Sequence, residues 1–218
     1  MTPPARLTAS PGDLGHLVDR IRALCNSGRV LIGVSGPPGA GKSTLTAALA
    51  RELHAEQVGC AVVGMDGFHL AQAELDRLGR AERKGAPDTF DAHGYLALLR
   101  RLRQESTNTV YAPMYLRGAV EQPIGSAVPV HPGDQVILTE GNYLLLDTTP
   151  WDQVPGLLDE AWFVRTDDDA RRERLLARHL AGGKTRERAL AFTDGSDAAN
   201  AALVATTRDR ADVVIDWV

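Results

Sequence analysis

Aromatic side chains are scarce in this chain, at 5% of 218 residues. Basic charge is not in excess either: 24 Lys and Arg stand against 28 Asp and Glu, for a net charge of −4. These two shortages remove the global positive field and the stacking platforms that a nucleic-acid enzyme uses, and leave only a local basic groove open. Trp151, Trp162 and Trp217 read as core or edge packing. Cysteine is limited to Cys25 and Cys60, far apart and in no C-x-x-C or zinc spacing. Cys60 opens an apolar run and reads as a small buried hydrophobe. Chemistry without disulfides suits a reducing cytoplasm. No apolar run reaches membrane-spanning length, and Met1 to Arg6 lacks the apolar core of a signal peptide. The expectation is a cytoplasmic protein with no membrane and no nucleic-acid partner. The six histidines form no H-E-x-x-H pattern, and no fixed-period repeat or low-complexity linker is present.

What is there is ordinary for one α/β domain: 44% hydrophobic and 24% charged residues. Ser10-Pro11-Gly12-Asp13 reads as a helix start, with Ser10 as N-cap, and Leu14, Leu17, Val18, Ile21 and Leu24 mark its buried face. Asn26-Ser27-Gly28 ends it, so this helix spans about 10–27. Apolar runs at 30–34, 60–65, 136–139, 161–164 and 211–215 read as buried strands. Helices are expected near 70–78, over 95–103, from 167 to 179, and once or twice between 186 and 207. The Pro- and Gly-rich stretch 109–132 reads as irregular strands of a substrate-facing insertion. Strands alternating with helices imply a parallel sheet covered on both faces, a three-layer α/β/α arrangement.

Residues Gly36-Pro37-Pro38-Gly39-Ala40-Gly41-Lys42-Ser43 complete a G-x-x-x-x-G-K-[ST] phosphate-binding loop. It follows the apolar run Val30 to Val34 and precedes a helical stretch from Ser43 through Thr44 to Ala50, as a P-loop NTPase fold requires. Glycines at 36, 39 and 41 let the backbone curl around an anion. The loop amides and the helix N-terminus direct positive charge at phosphates. Lys42 adds a full charge, and the Ser43 hydroxyl is a Mg²⁺ ligand in such loops.

In open parallel sheets, ligands bind beyond the carboxyl ends of the strands. Asp66 ends one strand, where it can accept or orient the proton of a substrate hydroxyl, or simply cap the Asp-Gly turn. Glu140 ends another, where it can hold Mg²⁺ through water, orient a nucleophile, or mark a strand exit. Arg171, Arg174 and Arg178 fall at i, i+3 and i+7 on one helical face. They are either a lid closing over developing phosphoryl charge or a solvated face, with Asp168 paired to Arg172. His69 follows the Asp66 turn as a candidate substrate contact, and His16, His54 and His131 read as surface residues.

The whole pattern resembles the phosphoribulokinase, uridine kinase and pantothenate kinase group of P-loop kinases. It rests on Gly36 to Ser43, Met65-Asp66-Gly67-Phe68-His69, and Arg83-Lys84-Gly85-Ala86-Pro87-Asp88-Thr89-Phe90-Asp91. Pro113-Met114-Tyr115-Leu116-Arg117, Glu140-Gly141-Asn142-Tyr143 and the arginine helix follow in the same order. The chain is most similar to the small bacterial branch labelled nucleoside/nucleotide kinase or fructose transport system kinase. The resemblance implies a single kinase domain over 1–218, with an acceptor-side insertion about 67–132 and a lid about 171–188. It implies ATP and Mg²⁺, bound by 36–44 with Ser43 and Glu140 at the metal, and a small-molecule hydroxyl acceptor. Lys42, Asp66, Arg171, Arg174 and Arg178 become the catalytic candidates. His69, Arg83, Lys84, Asp88, Phe90, Tyr115, Arg117 and Tyr143 become acceptor contacts. A homodimer is also compatible with it. Two departures stand out: relatives often carry Asp in the slot of Leu116, and the chain is shorter than typical pantothenate kinases.

A nucleoside, a sugar and a pantothenate-like alcohol all remain open as acceptors. A nucleotide-binding regulatory protein without transfer activity is the alternative, and it has no need of Asp66 or the arginines. A GTPase is disfavoured: Asp91 to Gly94 matches D-x-x-G, but no N-K-x-D motif exists.

Overall fold

A computed structural model describes residues 3–25, 28–116 and 122–218. Six strands form one parallel sheet: β1 (Ala5–Ala9), β2 (Val30–Ser35), β3 (Cys60–Gly64), β6 (Val136–Glu140), β7 (Glu160–Arg165) and β8 (Val213–Trp217). Their spatial order is β1-β8-β7-β2-β6-β3, and every pairing is parallel. The remaining strands, β4 (Val110–Leu116) and β5 (Gln122–Val130), form a separate antiparallel hairpin.

The period-2 alternation of each strand sorts its side chains into two cores. Leu31, Ile137, Ala161, Phe163 and Val214 face one layer, with α4 (Ala92–Gln104), the hairpin and the segment Tyr143 to Val154. Val30, Ile32, Val34, Leu138, Trp162, Val164 and Ile215 face the other, with α1 (Gly15–Leu24) and α2 (Lys42–Ala55). The three tryptophans are all buried.

Strand β2 is the switch point of the sheet. The chain leaves it through α2 to reach β3 on one side, while β7 and β8 lie on the other. Crevices at such reversals are where open α/β sheets bind ligands. The phosphate loop, Asp66 and Glu140 all follow strand ends on this edge.

The N-terminus departs from expectation. Ala5–Ala9 is a strand, so β8 does not close the sheet; β1 lies outside it. Ser10 to Asp13 is a tight turn closed by Asp13 N–H donating to Ser10 O at 3.0 Å, not a helix cap. Pro11 and Gly12 at the centre of a turn explain this. The helix starts at Gly15 after Leu14 and ends at Leu24; residues 26 and 27 of the expected terminator lie outside the described residues. The stretch expected to be irregular is more regular than that, since Val110–Leu116 and Gln122–Val130 pair as antiparallel strands with one bulge between Ala112 and Met114.

On the far side of the site, α5 (Asp168–Ala181) is capped by Asp167, which accepts from the amides of Asp169 and Ala170. A short α3 (Gln72–Arg77) follows the turn that ends β3. The chain then continues through α6 (Arg186–Phe192), a π-helical turn (Thr193–Asp197) and α7 (Ala198–Ala205). Among the described residues no helix is long and apolar enough to cross a membrane.

Candidate active site

The phosphate loop holds Gly36, Gly39 and Gly41 at φ of 150°, 80° and 94°. At Gly39 a side chain would also strike Leu175 and the Arg171 carbonyl, at 2.9 and 3.0 Å. At Gly41 it would strike the Trp217 indole at 2.8 Å. The glycines thus serve packing against α5 and β8 as well as anion access. Ala40 is fully buried, and Pro38, Gly39, Gly41, Lys42, Ser43 and Thr44 line a cavity of about 640 Å³.

Lys42 opens α2, where the helix N-terminus already favours anions. Its buried ammonium donates to Gly36 O at 2.9 Å, Pro37 O at 3.1 Å and Asn142 Oδ1 at 2.7 Å. Gly36 and Pro37 therefore act through their carbonyls rather than as cavity wall. Ser43 Oγ donates to Glu140 Oε1 at 3.0 Å, so the hydroxyl on the first turn of α2 and the carboxylate that ends β6 meet.

Asp66 stands in the 3-10 turn Met65–Phe68 that ends β3, and lines the same cavity. His69 closes this turn. Its Nδ1 lies 2.8 Å from Asp66 O and 4.0 Å from Asp66 Oδ1. A carbonyl only accepts, so this contact assigns the hydrogen to Nδ1. The His69 ring packs against Phe90 at 4.1 Å and Tyr115 at 4.5 Å between centroids, and Lys84 Nζ lies 5.5 Å from the Tyr115 ring. His69, Lys84, Phe90 and Tyr115 all line the cavity.

Other expected contacts lie elsewhere. Arg83 and Asp88 form an ion pair with each other outside the cavity wall, and Arg80 Nε joins Asp88 at 3.4 Å. These charges staple the loop and do not line the cavity. Tyr143 is fully buried, and burial pushes its hydroxyl pKa up; it donates to Gly85 O and holds the loop from beneath. Arg117 lies outside the described residues.

The arginine face divides. Arg174 and Arg178 line the cavity, whereas Arg171 does not. The first turn of α5 presses on Gly39, so the Arg171 side chain lies against the phosphate loop with Nε donating to Asp168 Oδ1 at 3.0 Å. Arg172 pairs with Asp194, not Asp168. His179, Lys184 and Arg188, within the span expected for the lid, add to this wall, and Phe192, Asp197 and Asn200 extend it past that span. Neither Asn142 nor Asn200 was singled out from the sequence. The available signal for Asn200 is a lone amide in the otherwise apolar helix AANAALVA.

Strand, glycine loop and helix, with an acid at the end of the neighbouring strand, define a P-loop kinase fold. The chain belongs to the phosphoribulokinase/uridine kinase family, whose model matches residues 31–218. It is 35% identical over 204 residues to the Schizosaccharomyces pombe protein named "Putative uridine kinase C227.14", covering 89% of this chain and 86% of that one. It is 32% identical over 207 residues to the uncharacterized protein YggC of Escherichia coli, covering 92% and 83%. Among solved structures, the "putative fructose transport system kinase" from Silicibacter sp. TM1040 superposes with a TM-score of 0.84 at 35% identity, covering 92% of this chain and 98% of that one.

Proposed function

We propose that this protein is an ATP-dependent kinase that transfers the γ-phosphoryl group to a hydroxyl of a small metabolite. One observation carries the reading: Lys42, the Ser43–Glu140 pair and Asp66 line one cavity, whose other walls are aromatic and cationic.

The phosphates of ATP fit the loop amides and the α2 N-terminus, with Lys42 turning from its carbonyl partners onto the β- and γ-phosphates. Ser43 and Glu140 are hard oxygen donors and suit Mg²⁺, which takes one or two protein ligands and completes its shell with phosphate and water. Among the described residues no group of three or more His, Cys, Asp and Glu forms an all-protein cage, in keeping with that habit. Bound there, Mg²⁺ would neutralise charge on the phosphates.

Asp66 holds the acceptor hydroxyl in line with the γ-phosphorus. The acceptor oxygen forms the new P–O bond, the bond to the ADP oxygen breaks, and the hydroxyl proton passes to Asp66. The transition state is loose, so alignment matters more than basicity. Arg174 and Arg178 face the charge that spreads over the transferring group. Arg171 supports the loop rather than the reacting atoms.

The test separates binding from transfer. Lys42→Ala weakens ATP binding and abolishes turnover. Asp66→Asn leaves the ATP Kd within about twofold while lowering kcat by about 100-fold or more. Full activity in Asp66→Asn removes Asp66 from the chemistry.

A further inference from the structure

The two edges of the sheet differ. At one, β3 contacts the hairpin of β4 and β5. At the other, no strand among the described residues lies beyond β1, and Ala5, Arg6 and Thr8 are exposed. Leu7 is partly buried against the core that faces α1. An open edge is a template for another strand, and native sheets often close one with a proline or a bulge inside the strand. Ala5–Ala9 has neither, and its register with β8 runs unbroken.

The hydrogen bonds to β8 fix which backbone groups face outward. Ala5 N–H donates to Asp212 O at 2.9 Å, and Ala9 O accepts from Val218 N–H at 3.1 Å. In a parallel ladder, alternate residues turn both backbone groups to the same neighbour. Ala5, Leu7 and Ala9 therefore face β8, while Arg6 and Thr8 present N–H and C=O to the open side. This set is self-complementary: turned end for end, it matches itself. In an antiparallel pair with Leu7 on the two-fold axis, Arg6 lies opposite the partner's Thr8, and the two exchange both bonds. The next registers fit worse. One sets Arg6 against the partner's Arg6, like charge on like, and Thr8 against the partner's Pro4, which has no N–H. The other sets Arg6 against the partner's Ser10, whose carbonyl already accepts from Asp13 N–H.

We propose that β1 pairs antiparallel with β1 of a second copy of this chain, joining two six-stranded sheets into one across a two-fold axis. The assembly closes at two, because the other edge of each sheet faces its own hairpin. The contact is small and made mainly by main-chain bonds, so the dimer is a weak one, with a Kd of about 1–100 μM. Asp66 belongs to the turn after β3, at the opposite edge, so the cavity stays open in the pair. The inference is independent of the reaction assigned to that cavity.

Sedimentation velocity from about 1 to 200 μM reads the mass in solution. The expected result is a concentration-dependent rise from 23.4 kDa toward twice that value. Thr8→Pro removes an outward N–H and puts a ring on the open side while every bond to β8 is kept, an orientation in which an edge strand tolerates proline. It is expected to raise the dimer Kd about tenfold or more and to leave Mg-ATP affinity within about twofold. Leu7→Cys tests the register. A directly opposed pair without mutual hydrogen bonds brings its Cα atoms to about 4.5 Å, within disulfide reach, so mild oxidation links two copies. Arg6→Cys, which lies opposite Thr8, does not link and controls for Cys25 and Cys60. The cysteine pair carries the test if Thr8→Pro does not fold. Three results each overturn the proposal: a protein that stays monomeric across the range, a dimer that a folded Thr8→Pro leaves intact, or a Leu7→Cys that links no faster than Arg6→Cys.

Discussion

The Lys42 ammonium donates to Asn142 Oδ1 at 2.7 Å, and Asn142 is itself held in place by Ser35 Oγ donating to its backbone carbonyl at 3.2 Å. Together with the Gly36 and Pro37 carbonyls, this amide answers the three N–H bonds of the lysine. A phosphate chain must displace at least one of these partners. The neutral amide is the side chain that can turn away.

Changing Asn142 therefore acts on ATP before it acts on the acceptor. Asn142→Asp pairs the lysine with a full charge and is expected to raise the ATP Kd about tenfold or more. Asn142→Ala leaves ATP affinity unchanged or improved. Titration calorimetry with Mg-ATP compares the two, and equal weakening in both variants would contradict this role.

Arg29 ties together segments that are distant in sequence. Its guanidinium donates to Leu102 O and Glu105 O at the end of α4, and to the carbonyls of His131 and Asp134 before β6. The α4 carbonyls are among those a helix end leaves unpaired. Arg29→Ala is expected to cost about 2 kcal/mol, or a Tm lower by about 4–8 °C. Arg29→Lys recovers only part, because one ammonium cannot span these acceptors. Thermal melts of the three proteins decide it.

Cys60 gives a pH prediction. Burial, with Asp134 nearby, pushes its thiol from the ordinary 9.0 up to about 12. The folded protein then holds the proton more tightly than the unfolded chain. Stability from this site is complete below pH 9.0 and falls as pH rises toward 12. Cys60→Ala should flatten that alkaline slope in urea melts, and a thiol reagent at pH 8 should label Cys60 only on unfolding. Fast labelling of the native protein would contradict the burial argument.

Much of the sheet was legible because its strands are apolar on both faces and read as continuous runs. β1 was not, because an edge strand reading Ala-Arg-Leu-Thr-Ala is mostly exposed and carries little pattern. The phosphate loop, Asp66 and Glu140 were legible because glycine spacing and strand ends fix their place. The helical spacing of Arg171, Arg174 and Arg178 was legible too, but not which turn of α5 would press on Gly39. Arg83 and Asp88 were read as acceptor contacts from likeness alone. Their opposite charges, five residues apart in a loop, find each other first. Asn142 and Asn200 depend on what faces them across the fold, and spacing along the chain does not carry that information.

Acceptor-dependent ADP release from Mg-ATP, with the product identified by mass and Lys42→Ala as the blank, tests the central claim most directly. The account predicts that one acceptor from a set of nucleosides, sugars and related alcohols raises ADP release and leaves as its phosphate ester. Tight Mg-ATP binding with no acceptor-dependent release and no phosphorylated product across that set would contradict it and favour a regulatory nucleotide-binding protein.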